Sequence, residues 1–214
     1  MQLRKIGAVA AFILTFQFLL TLWFIVIAWP KDGSQGWAAL HALPDSIAAY
    51  IAAMAAKPAP FMLANLYNAV FTVPAIVLAV ALREHMAEAR QRMLLVLVGA
   101  AIAGGLWLAG GIIPVLCVPQ IMAANDVSAL RAVSGIVIGL ILAATTAAGF
   151  AAVLVGSAGL GTRRLPRLLC WILIIGGVVE ICEFAVPVCL IIDPTLGTIW
   201  SVWLGIIFLR STPD

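Results

Sequence analysis

The chain has 214 residues, of which 64% are hydrophobic and 10% are charged, and its mean hydropathy is +1.17. Soluble globular domains are roughly 45–50% apolar and about 25% charged, so this composition excludes an ordinary soluble fold. The formal net charge of +3 does not indicate a nucleic-acid partner, because the basic residues cluster in short segments between apolar runs.

Apolar runs of about 20 residues, the length that crosses a hydrocarbon core roughly 30 Å thick, recur along the whole chain. They predict an all-α fold, a polytopic transmembrane helical bundle that forms a single domain over residues 1–214. Six spans are predicted, at residues 6–29, 60–82, 93–117, 132–156, 168–192 and 196–209. The first is not expected to be a cleaved signal peptide, because VIAWPKDG offers no small-residue cleavage site.

The basic residues are divided unequally between the two sides that six spans define. One side holds Arg4, Lys5, Arg83, Arg90, Arg92, Arg163, Arg164, Arg167 and Arg210, and the other holds Lys31, Lys57 and Arg131. Basic residues concentrate on the cytoplasmic side of membrane proteins. The bias predicts a protein of the bacterial inner membrane, surrounded by lipid bilayer, with both termini in the cytoplasm.

The longest connection, residues 30–59, lies between the first two spans on the outer side. Within it, LPDSIAAYIAAMAAK places apolar residues at helical spacing, and Asp45 or Ser46 is suited to cap the start of a helix. We expect a short extracytoplasmic interfacial helix. It would either pack over the outer mouth of the bundle or act as a lid over a ligand.

Two carboxylates interrupt the predicted fifth span, in the stretch GGVVEICEFAVPVC. Glu180 is expected near the middle of the bilayer and Glu183 about one turn further out, on a helix face shared with Gly176 and Pro187. The apolar residues of this span favour insertion by roughly 4–8 kcal/mol, and the two carboxylates oppose it by roughly 5–7 kcal/mol. The span therefore needs neighbouring polar groups, bound protons, or both.

Polar residues of other spans are predicted at a similar depth. Asn65 and Asn68 form a stripe on the second span, Gln17 and Thr21 lie on the first, and Thr145 and Thr146 lie on the fourth. Two carboxylates close together in a low dielectric resist simultaneous ionisation, which suits a site for a proton or a cation. The hypothesis is a ligand- or proton-binding site of Glu180, Glu183, Asn65, Asn68 and Gln17. A structural hydrogen-bond network and a contact to a partner subunit are the alternatives.

The residues needed for other chemistry are missing from the pattern. The two histidines, His41 and His85, fall in loops on opposite sides, so a carboxylate-bridged di-iron site is not expected. No Ser/His/Asp or Cys/His set lies within reach, no motif indicates a cofactor, and an enzyme is not the favoured prediction. GSAGLG at Gly156–Gly161 lacks the glycine order of a dinucleotide fingerprint and is interpreted as a helix end followed by a flexible turn.

Cysteines and small residues suggest two further contacts. Cys117 and Cys189 are both predicted near the outer ends of spans, where a disulfide is possible, although buried thiols are the default for such residues. Gly135 and Gly139 on the fourth span, with Gly105 and Ala109 on the third, favour close helix packing within the chain or with another subunit.

Two stretches, RRLPRLLCWILIIGG and IWSVWLGIIFLR, resemble an uncharacterised bacterial family of six-helix inner-membrane proteins, the domain-of-unknown-function 4386 type. The resemblance consists of Leu-Pro-Arg at the start of the fifth helix, a glycine within that helix, and a last helix that ends Leu-Gly-x-x-x-Leu-Arg. Cys170 stands where the family has a small residue, and the glutamate pair is not a family motif. The resemblance implies a fold and a membrane location, and no activity or functional residue.

The sequence favours an integral inner-membrane protein with a buried acidic and amide site that binds or passes a small solute, proton or cation. The alternative is a non-catalytic accessory or assembly subunit of a larger membrane complex. An intramembrane enzyme that acts on lipid or quinone is less favoured, because a nucleophile and a histidine base are missing.

Overall fold

The computed structural model describes residues 2–23, 66, 69–124, 126–183, 185 and 189–210. Over these ranges the chain is all-helical, as predicted. The six helices are α1 (Gln2–Trp23), α2 (Thr72–His85), α3 (Arg90–Ala123), α4 (Val127–Thr162), α5 (Arg167–Cys182) and α6 (Cys189–Arg210), and a 3₁₀ turn at Ala87–Ala89 joins α2 to α3. The predicted interfacial helix, Asn65 and Asn68 lie outside the described residues.

Four segments are long and apolar enough to cross a membrane. They are Gln2–Leu22, Ala87–Ala123, Ser128–Thr162 and Ile192–Arg210. This confirms the prediction of a helical bundle that has helices long and apolar enough to cross a membrane. The count of six spans remains a prediction. α2 and α5 have 14 and 16 residues, which is shorter than the roughly 20 residues of a full span.

The helices pack as a ring. Each helix contacts the next one along the chain, and α1 closes the ring by packing against α6. A side chain at Gly7, near the start of α1, would meet Ala81 near the end of α2 and Phe208 near the end of α6. These chain ends therefore meet at one end of the bundle, which carries most of the arginines and is called the basic end.

α3 and α4 are longer than their predicted spans. α4 continues through GSAGLG to Thr162, so the predicted helix end and flexible turn at Gly156–Gly161 are wrong. The reason is the close approach of α5: a Cβ at Gly156 would lie 2.5 Å from the carbonyl oxygen of Cys170. Arg163 ends α4 in the left-handed region (φ 56°), and its N–H donates to the carbonyl oxygen of Gly159 at 2.9 Å.

The boundary between the fifth and sixth helices also differs from the prediction. α5 ends at Cys182, Glu183 caps it with its N–H 3.3 Å from the carbonyl oxygen of Glu180, and α6 begins at Cys189. The predictions that the fifth span continues to residue 192 and that a loop follows at residues 193–195 are therefore wrong. Pro194 lies inside α6 rather than before it, and its missing N–H leaves one helical hydrogen bond unformed.

Side-chain hydrogen bonds cap the start of α4 and join α1 to α6. The Oδ1 atom of Asp126 caps α4, accepting from the hydroxyl of Ser128 at 2.6 Å and from the N–H of Ala129 at 3.0 Å. The bond from Ser128, followed by that from Ala129, lowers the pKa of Asp126. Inside the bundle, the hydroxyls of Thr15 on α1 and Ser201 on α6 are 2.9 Å apart, which ties the two helices that close the ring.

Candidate functional site

A cavity of about 250 Å³ lies inside the ring of helices. Every one of the six helices contributes to its wall, and most of the lining side chains are apolar. The apolar part of the wall includes Leu14, Ala75, Leu78, Leu82, Val96, Ala100, Ala148, Val155, Leu173 and Leu204. A largely apolar cavity with a few convergent polar groups is the usual form of a small-molecule site.

Three acidic residues line this cavity: Glu180 on α5, Glu183 at the cap of α5, and Asp193 in the second turn of α6. We call them the carboxyl cluster. The carboxyl of Glu180 lies within electrostatic range of both others. The Oε2 atom of Glu183 is buried and has no hydrogen-bond partner in the described part of the chain. A buried polar atom without a partner is costly, which points to a group that is still to be bound there.

Some of the residues predicted for the site line the cavity, and others lie away from it. Glu180 and Glu183 line one cavity, as the hypothesis required. Thr21 and Thr145 also line it, whereas Gln17 is buried on α1 outside the cavity wall. Thr146 faces a separate groove beside Leu142 and Phe150, because consecutive helical residues point about 100° apart. Glu180 and Glu183 therefore lie at one cavity without Gln17, and the binding site itself, with Asn65 and Asn68, remains a prediction.

Asp193 is the site residue that the sequence reasoning missed. The dipeptide Asp193-Pro194 is typical of a helix start, because aspartate is a good cap and proline suits the first helical position. The chain instead enters α6 at Cys189 and brings Asp193 into the cavity. The apolar run of residues 189–192 before Asp193, and the lack of any other charged residue between Glu183 and Arg210, were the available signal.

Four aromatic side chains line the middle of the cavity: Phe18, Phe71, Trp107 and Trp200. We call them the aromatic belt. Phe18 packs edge-on against Phe71 and Trp200, with ring centroids 5.9 and 5.6 Å apart, and Phe71 lies 5.6 Å from Trp107. The ring of Phe18 lies against Gly197, where an added Cβ would be 2.7 Å from it. Gly197 is one turn along α6 from Asp193, so the aromatic belt begins about 6 Å from the carboxyl cluster.

The charges around the cavity are of one sign. Among the lining residues that belong to the described part of the chain, none is lysine or arginine. Over the same described ranges, no three His, Cys, Asp or Glu side chains converge closely enough to hold a metal ion. The carboxyl cluster therefore needs protons or a bound cation to offset its charge.

A second polar group of side chains lies at the basic end. Arg164, between α4 and α5, donates from Nη2 and Nε to Oε1 of Glu88 at 2.6 and 3.2 Å. Both side chains are about half-exposed, so the pair adds little stability. Nearby, burial lowers the pKa of His85, and the charges of Arg4 and Arg164 lower it further. These residues are remote from the carboxyl cluster and supply control variants for it.

The cysteines and small residues differ from two of the sequence expectations. Cys117 and Cys189 are free thiols, so the disulfide considered for them is not formed in this structure. A side chain added at Gly105, Gly135 or Gly139 would meet nothing within 4 Å, so these glycines do not mediate packing among the described helices. Their faces point away from the bundle, and a role in contacts with another subunit remains a prediction.

Comparison with protein-family models, curated protein sequences and solved structures found no match for this chain. The resemblance to the domain-of-unknown-function 4386 type therefore remains a prediction. The functional argument depends on the cavity and its residues.

Proposed function

We propose that this chain is a six-span protein of the bacterial inner membrane whose interior cavity binds a proton or a small cationic solute and exchanges one for the other. One observation carries the proposal: Glu180, Glu183 and Asp193 line one cavity, and its described lining residues include no lysine or arginine. Exchange at such a site is the elementary step by which a membrane protein passes a cation or couples it to protons.

The physical reason is the cost of uncompensated charge. A carboxylate in apolar surroundings is strongly unfavourable unless it is paired or neutralised. Three carboxyls at one end of a cavity oppose each other's ionisation as well. Protons neutralise them when the cavity is empty, and a cation can take the place of those protons because it offers the same charge.

The orientation rests on the distribution of basic residues. The basic end carries Arg4, Lys5, Arg83, Arg90, Arg92, Arg163, Arg164, Arg167 and Arg210, so we place it and both termini in the cytoplasm. The carboxyl cluster then lies towards the outer side of the membrane, and the cavity extends from it towards the cytoplasm. The count of six spans is part of this proposal, as is the resemblance to the six-helix family.

Proton release on addition of a cation tests the proposal. The purified protein is placed in weakly buffered detergent solution with a pH-sensitive dye, and sodium, potassium or tetramethylammonium chloride is added. We expect at least one of these salts to release protons from the wild type. No release is expected from the triple variant Glu180→Gln, Glu183→Gln and Asp193→Asn. Equal signals from both proteins with every salt would contradict the proposal.

A second function, an accessory subunit of a larger membrane complex, is favoured by one observation. Gly135 and Gly139 are one turn apart on α4, are exposed, and have open space above their Cα atoms. Small residues at this spacing allow another helix to approach closely. Gentle purification from native membranes followed by intact-complex mass spectrometry distinguishes the two functions, because an accessory subunit is recovered with a stoichiometric partner.

A further inference from the structure

We propose that the natural ligand of the cavity is an amphipathic organic cation, with its positive head at the carboxyl cluster and an apolar, preferably aromatic body in the aromatic belt. This inference rests on the proposed function and specifies the chemical class of its solute. Three features of the described cavity wall support it: the spacing of the carboxyl groups, the position of the aromatic belt, and the size and composition of the remaining wall.

The carboxyl groups suit a diffuse positive charge better than a small metal ion. A hard cation needs six or more oxygen ligands at short range, and no three acidic side chains within the described ranges converge in that way. An ammonium head spreads its charge over its substituents and needs no fixed coordination shell. The buried and unpartnered Oε2 atom of Glu183 supplies a fixed point of negative charge for such a head.

The aromatic belt provides the second recognition element. Its Phe18 ring lies against Gly197, about one turn of α6 from Asp193, which is within the length of a small ligand whose head contacts the carboxyl cluster. Aromatic faces attract cations, most strongly those of tryptophan, and aromatic rings also pack edge-to-face with a ring in the ligand. Trp200 and Phe18 therefore contact the part of the ligand where the charged head joins the apolar body.

The size of the cavity limits the ligand. Its volume of about 250 Å³ lies just below the roughly 300–1,000 Å³ of typical small-molecule pockets. That volume accommodates a quaternary ammonium head with one aromatic ring and is too small for a two-tailed lipid. Beyond the aromatic belt the wall is formed by Leu78, Leu173, Leu204 and neighbouring apolar residues, which match an apolar body and offer nothing to a hydrated ion.

A competition series on the wild-type protein tests this inference directly. The probe is radiolabelled benzyltrimethylammonium, measured by equilibrium dialysis against the full chain in lipid nanodiscs, with empty nanodiscs subtracted. We expect saturable binding at one site per chain. Tetramethylammonium, which has the head alone, should compete about tenfold or more weakly, because it lacks the ring contacts. Neopentylbenzene, which has the same shape without the charge, should not compete.

Two variants locate the site, and one serves as control. Glu183→Gln and Trp200→Leu should each weaken binding of the probe by about tenfold or more, because one loses a charge contact and the other loses a cation–aromatic contact. Glu88→Gln, at the basic end, should bind the probe as the wild type does. The competition series on the wild type needs no variant, so it decides the question even if Trp200→Leu fails to fold.

The outcomes separate the two proposals. Equal competition by tetramethylammonium and the probe would overturn the inference, because the aromatic belt would then contribute nothing. Absence of probe binding, in a protein that still releases protons on addition of sodium or potassium, would overturn the inference and leave the proposed function standing. Absence of both responses would overturn both.

Discussion

Neutralising the carboxyl cluster is expected to make the protein more stable while it removes cation-induced proton release. The triple variant Glu180→Gln, Glu183→Gln and Asp193→Asn keeps the side-chain volumes and removes three ionisable groups from the cavity. The empty cavity holds these carboxyls neutral although they ionise in the unfolded chain at neutral pH, and the uncharged amides avoid that cost. We expect a gain of about 1 kcal/mol for each replacement, which raises the melting temperature by roughly 2–4 °C per kcal/mol.

The same measurement tests the alternative that the carboxyls hold the helices together. A structural hydrogen-bond network predicts a lower melting temperature for the triple variant, because its buried bonds would be lost. The control replaces two exposed carboxyls, as Glu84→Gln and Glu88→Gln, and should change stability by no more than about 0.5 kcal/mol. A triple variant that melts well below the wild type, with the control unchanged, would contradict a ligand-binding role for the cluster.

A single methyl group at Gly177 is expected to destabilise the bundle. A Cβ at Gly177 would collide with the carbonyl oxygen of Gly149 and lie 3.0 Å from the backbone nitrogen of Val153. Backbone atoms of α4 cannot move aside as a flexible side chain could, so α4 and α5 must separate. Overpacking of this kind costs typically 1–3 kcal/mol, offset by about 1 kcal/mol because alanine is the better helix former.

The control for Gly177→Ala is Gly135→Ala on α4, where the added methyl group meets nothing within 4 Å. This variant should melt at or above the wild-type temperature. A thiol-reactive fluorescent dye follows the unfolding, because Cys170 is fully buried beside Gly156 and Gly159 and becomes reactive when α4 and α5 separate. Equal melting temperatures for Gly177→Ala and Gly135→Ala would contradict the close backbone contact between α4 and α5 at Gly177.

The all-helical fold and the four long apolar helices could be predicted because they depend on local composition. Hydrophobic length determines whether a segment can cross a membrane. The ends of α4 could not be predicted in the same way. GSAGLG has the composition of a turn, and it stays helical because its glycines allow α5 to approach, which is a property of the helix pair.

Helix pairing also explains which glycines pack. Gly135 and Gly139 have the familiar small-xxx-small spacing, yet they face outward. The close contacts on α4 are made by Gly149 and Gly156, seven residues apart, with Gly177 of α5 opposite Gly149. The spacing of small residues identifies helix faces that allow close approach. Which of those faces contacts another helix depends on how the helices are arranged in the ring.

Only part of the candidate site could be predicted from the sequence. Glu180 and Glu183 are unusual enough in an apolar run to indicate a site from the sequence. Asp193 has the sequence context of a helix cap, and its role depends on α6 beginning four residues earlier, at Cys189. The aromatic belt draws on α1, α2, α3 and α6, so no local pattern could have indicated it.

Carboxyl labelling with dicyclohexylcarbodiimide, followed by peptide mass spectrometry, tests the central claim most directly. This reagent modifies carboxylic acids that lie in apolar surroundings, where water does not compete for the activated group. We expect modification at Glu180, Glu183 or Asp193, and we expect benzyltrimethylammonium to reduce it. Glu84 and Glu88 should not be modified. Modification confined to the exposed carboxyls, or none at any member of the cluster, would contradict a shared carboxyl site inside the bundle.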